Sequence, residues 1–120
     1  MRHVSAAMAA VAVTAACRTA PVADRGPRLV LRDSVQLDES DSLYLGRPVF
    51  LTVVPGGYYV ADEFMARAVE FDTAGRAVHV IGHRGLGPGE LTGAGYVLVL
   101  DDSTVAISDD RKMVFSLYNR

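Results

Sequence analysis

The sequence holds a single cysteine, Cys17, so no disulfide forms within one chain and the fold must be held by packing. It has no basic run longer than Arg111-Lys112. With 12 Lys+Arg against 14 Asp+Glu, the footprint of a nucleic-acid or anionic-membrane binder is missing. Its longest mainly apolar stretch, Val4 to Ala16, falls short of the roughly 20 residues that a spanning helix needs. Helical periodicity is scarce too, since no window keeps a 3.6-residue pattern beyond two turns. Histidines are so few that no Ser–His–Asp set can be assembled.

What is present begins with a leader. "MRH" supplies a basic start, and Val4–Ala16 is Ala, Val and Met with only Ser5 and Thr14 as polar members. That composition predicts a secretory signal peptide over residues 1–16, its apolar part helical. The small residues of "TAAC" resemble a bacterial lipobox, which implies cleavage before Cys17 and lipidation of that residue. Thr14 stands where a large aliphatic residue is usual, and cleavage at Ala16 or Ala20 without lipid is the alternative. Either way the expected location is extracytoplasmic, in the periplasm or cell envelope; with Cys17 lipidated, the membrane is met through that anchor alone. Residues 17–27 mix small, proline and charged residues without periodicity, as a tether does.

From residue 28 the apolar runs arrive at strand length: 28–37, 49–54, 58–61, 67–72, 76–81, 96–100, 104–108 and 113–119. The expected fold class is all-β. "PGG", "DEFMA" and "TAG" are of hairpin size, and parallel neighbours would need crossovers of a dozen residues. Residues 49–81 should therefore form a four-stranded antiparallel meander. "VFLTVV" and "YVLVL" are apolar on both faces, which predicts cover on both sides.

The pattern then recurs. "YYVADEFMARAVEFD" (58–72) aligns with "VAISDDRKMVFSLYN" (105–119), placing Asp62 on Asp109, Glu63 on Asp110 and Phe71 on Tyr118. A period of 40 to 50 residues with four strands per unit is a propeller signature. Residues 48–91 also contain "YVAD", "FDTAG" and "GPGEL" in order, and so resemble the NHL-type blade of bacterial six-bladed β-propellers. The resemblance implies an incomplete β-propeller over 28–120, with one blade at 48–82 and a partial blade at 96–119. The second blade departs from the pattern, with "AISD" for "YVAD". The chain stops at Arg120, where a fourth strand of that blade is expected. Uncovered blade faces would then favour self-association.

"GHRGLGPGEL" (82–91) invites a phosphate-cradle reading, but it lacks the Lys and Ser/Thr of a P-loop, and Pro88 has no N–H to offer an anion. Its expected role is to carry the chain from one blade to the next, with Glu90 and Arg84 forming an inter-blade ion pair. His79 and His83 have metal-pair spacing but no carboxylate at ligand distance in sequence, so solvated or structural histidines are expected. Asp62-Glu63 and Asp109-Asp110 recur at strand ends; carboxylates there could line a mouth of the propeller, but Asp ending a strand usually caps its own turn, and that is the expected role. Tyr58 and Tyr59 should place one ring in the core and one outside.

No catalytic residue, metal ligand or cofactor is expected from these residues. The resemblance implies an exported, lipid-anchored binding module, part of a longer propeller, for a protein or small-molecule partner that the residues do not name. The alternatives are part of a lyase-type propeller enzyme, or a truncated product without independent function.

Overall fold

The computed structural model describes residues 26–120. The chain divides into two units, residues 1–30 and 31–120. Of the first, residues 26–30 are described, a bend at Gly26 followed by irregular exposed backbone. The expected signal peptide, Cys17 and most of the 17–27 tether lie outside the described residues.

The second unit is all-β, with no helix among the described residues. Its strands are β1 (Pro48–Val54), β2 (Gly57–Asp62), β3 (Arg67–Asp72), β4 (Ala77–Ile81), β5 (Ala94–Val99), β6 (Thr104–Asp109) and β7 (Val114–Asn119). They form two antiparallel meanders, β1-β2-β3-β4 and β5-β6-β7. Valine, isoleucine, tyrosine and phenylalanine dominate these segments and suit a pleated, half-buried surface. Short loops enforce the antiparallel order. Pro55-Gly56 joins β1 to β2, with Gly56 at φ 91°, the positive value that the third residue of a type II turn demands.

Register assigns each side chain to a face. On one face of the first sheet, Tyr59 and Ala61 of β2 stand beside Glu70 and Ala68 of β3, and Ile81 of β4 follows Ala68. This face packs on Val97, Val105 and Ile107 of the second sheet, with Leu91 and Ala94 between them. The alanines at 61, 66, 68 and 94 place only methyl groups between the layers, so the sheets approach closely. Thr52 Oγ1 also donates to the Val97 carbonyl at 2.7 Å, stitching β1 to β5.

The opposite face of the first sheet carries Val60, Val69 and Phe71, covered by Leu37, Leu43 and Leu45 from the segment that precedes β1. Cover on both faces therefore falls on β2 and β3, whereas β1, for which the apolar pattern predicts it, is an edge strand with Leu51 50% and Val53 68% exposed. The second sheet has cover on one face; on the other, Leu98, Phe115 and Leu117 stand 46%, 58% and 65% exposed. Residues 28–37, expected as a leading strand, form none. They lie beside no partner strand, and an extended segment without a ladder leaves its backbone groups to solvent. Leu37 instead serves as a lid on the Val60–Val69–Phe71 cluster.

Candidate functional site

The recurring carboxylates mark one end of both sheets. Asp62, at the end of β2, is fully buried and accepts the N–H groups of Gly46 (2.8 Å), Arg47 (2.9 Å) and Met65 (3.1 Å). Asp109, at the end of β6, accepts from the Thr92 N–H (2.5 Å) and hydroxyl (2.7 Å), and from the N–H groups of Arg111 and Lys112 (both 3.2 Å). Each aspartate thus ties the incoming chain of its own sheet to the turn that follows it. Burial works to raise the Asp109 pKa, but the donors from Thr92, Lys112 and Arg111 outweigh it and hold it below the usual carboxylate value. As expected, these aspartates cap their turns.

Their neighbours do something different. The Glu63 carboxylate meets Arg47 at 2.5 Å and Arg111 at 3.7 Å, linking the turn of the first sheet to that of the second. Together with Tyr44, Phe64, Met65 and Arg84 these side chains line an open cleft of about 540 Å³. Arg67 holds its wall by donating to the Tyr44 carbonyl at 2.7 Å. Phe64 is 62% exposed at its mouth. A second, narrower opening adjoins it through Glu63 and Arg111, with Phe50 and Tyr96 in edge-to-face contact at 4.6 Å.

The expected Glu90–Arg84 ion pair does not form. Glu90 turns into its own loop, where its carboxylate accepts the Gly87 N–H at 2.7 Å and meets His83 Nε2 at 3.2 Å. The Gly87 N–H first, and then His83, hold the Glu90 pKa below its ordinary value. A side chain at Gly85 would occupy the space of that carboxylate, which is the physical use of one glycine in "GHRGLGPGEL". Arg84, with a longer reach, donates instead to the carbonyls of Phe64 and of Thr92, the latter at 3.2 Å. It clamps the crossing between β4 and β5 onto the β2–β3 turn. The loop is built around an internal carboxylate.

His79 lies exposed on β4 opposite Glu70, while His83 belongs to the Glu90 loop. Among the described residues no group of three or more His, Cys, Asp or Glu is placed to hold a metal ion. Tyr59 is fully buried and Tyr58 half-buried, close to the expected division. The Tyr59 hydroxyl has no hydrogen-bond partner of good geometry. Its pKa is pushed up to about 12, by burial first and then by the Glu70 carboxylate beside it. Glu70 in turn receives Arg120 at 2.7 Å, and the Arg120 guanidinium lies 5.6 Å from the centre of the Tyr59 ring. This is a lock between the sheets at the end opposite the cleft.

Sequence reasoning missed the cleft. Its residues come from four separate stretches, and only the recurrence of Glu63 at Asp110 hinted at it. Comparison with protein-family models, with characterised proteins and with solved structures finds no match.

Proposed function

We propose that this chain is part of an exported, lipid-anchored β-propeller of the NHL type, acting as a binding module without catalysis of its own. One observation carries the reading. Both meanders repeat the same device: a buried strand-end aspartate, Asp62 or Asp109, that accepts from the incoming chain 15 to 17 residues earlier and from the N–H three residues later. The packing supports it as well. The face of the first sheet bearing Tyr59, Ala61 and Ala68 is covered by the second sheet, and the equivalent positions there are Ala106, Ser108 and Phe115. A further meander of the same kind is the natural cover for that second face. The binding surface of the module is the cleft at the turn end of the sheets, and Cys17 is its lipid anchor.

The first test is the solution mass of the full chain. Self-association that Leu117→Glu abolishes supports the reading; a wild-type monomer with one sharp unfolding transition overturns it. The anchor is tested separately by the intact mass of membrane-extracted protein. Loss of residues 1–16 with an acyl addition on Cys17 is expected, and a soluble product starting after Ala20 refutes lipidation.

A further inference from the structure

We infer that the cleft between the β2–β3 and β6–β7 turns receives a carboxylate-rich peptide segment, with Arg111 as the guanidinium that meets it. The inference rests on the binding-module reading and names its ligand class. The whole chain carries a net charge of −2, yet the cleft sets Arg47, Arg84 and Arg111 around one carboxylate, Glu63. Among the side chains that line the cleft, three guanidiniums outnumber the one carboxylate.

The three guanidiniums are not equivalent. Arg84 is held by two backbone carbonyls, and Arg47 is in close contact with Glu63. Arg111 reaches Glu63 at only 3.7 Å, beyond the 2.7–2.9 Å of a charge-assisted hydrogen bond, and its side chain is 63% exposed. Its fork of donors is therefore available, and bidentate reception of a carboxylate is what that fork does best. Glu63 itself displays the mode of recognition: an internal carboxylate stands where an external one would compete.

Shape selects an extended ligand over a small anion. The cleft is partly open to solvent and larger than a single small anion, so a lone phosphate would keep part of its hydration there. A chain with spaced carboxylates meets several guanidiniums at once. The exposed ring of Phe64 lies beside them and suits an apolar side chain on the same segment.

The test titrates the full chain with a short, end-blocked glutamate-rich peptide carrying one leucine, followed by calorimetry and by chemical-shift changes. Binding is expected, weakening roughly tenfold between low and high salt. Arg111→Gln should weaken it about tenfold, as loss of one charge-assisted contact does. Glu63→Gln, which removes the internal competitor, should tighten it several-fold, a sign that mere structural damage would not give. Arg32→Gln, outside the cleft, should leave it unchanged. Equal affinity for the lysine analogue of the peptide, or displacement by inorganic phosphate at equal concentration, overturns the inference. So does an unchanged affinity in both cleft variants when their circular dichroism matches the wild type. Since the module reading is tested by solution mass, failure of one leaves the other distinguishable.

Discussion

Ala66 and Met113, which occupy equivalent places in the two sheets, both adopt the left-handed backbone conformation, at φ 52° and 56°. They are the only non-glycine residues that do so among the described residues. Each closes the turn that starts at a buried aspartate, so the two turns share a backbone conformation although their residues differ.

A side chain in that conformation costs about 1–2 kcal/mol, of which glycine recovers part after its own entropy penalty of about 0.5–1 kcal/mol. Met113 is 86% exposed, so Met113→Gly should stabilise the fold by roughly 0.5–1 kcal/mol in denaturant unfolding. Ala66 is fully buried, and Ala66→Gly also removes a packed methyl worth about 0.8 kcal/mol. The two changes should therefore differ, with Ala66→Gly close to neutral.

Asp109→Asn should lower stability by about 1–3 kcal/mol, because it weakens acceptance from donors that are otherwise orphaned. The pH dependence follows from the sign of the shift. The folded pKa is depressed, so the contribution is present above the unfolded value of about 3.9 and is lost as pH falls through the lower folded value. Wild-type stability should drop below pH 4, and Asp109→Asn should drop less steeply. Asp72, Asp101 and Glu90 are depressed too, so a residual slope should remain.

Alkaline titration reads the other end of the sheets. Tyr59 has its folded pKa raised to about 12 from 10.0, so its contribution is complete below pH 10 and is lost as pH rises from 10 to 12. With five tyrosines and no tryptophan, tyrosinate absorbance follows this directly. Tyr59→Phe should remove the latest-titrating phenol and flatten the stability loss in that window. Tyr118, also raised by burial, should persist as the next latest.

Glu90→Ala should loosen the crossing loop without unfolding the sheets. Trypsin should then cut after Arg84 several-fold faster than in the wild type, because local opening sets the rate. An unchanged rate would mean that Arg84, through Phe64 and Thr92, holds the loop alone.

The strands were legible because each is short, rich in β-branched or aromatic residues and bounded by turn chemistry. The expected limits of 67–72 coincide with β3, and those of the other strands within the two sheets differ by one or two residues. Residues 28–37 misled because their apolar composition is that of a strand, while a strand also needs a neighbour, which composition does not reveal. The Glu90 pairing failed for a similar reason. Arg84 was the partner expected from charge alone, and only the loop's curvature decides that the imidazole of its neighbour His83 reaches the carboxylate instead. Beyond the recurrence of Glu63 at Asp110 the cleft was not legible, since Tyr44, Glu63, Arg84 and Arg111 meet only after both sheets have formed.

The Leu37, Leu43 and Leu45 cover gives this architecture a polarity. The contact between the sheets is of the head-to-tail kind, in which one unit's front meets the next unit's back, and the rotation per unit decides whether a series closes into a ring or runs on. Those three leucines occupy the back of the first sheet, while Leu98, Phe115 and Leu117 leave the front of the second open. One side is stoppered and the other is receptive. Copies of this chain therefore stack front-to-back, and a ring closes onto the first sheet, only once the leucine cover is displaced.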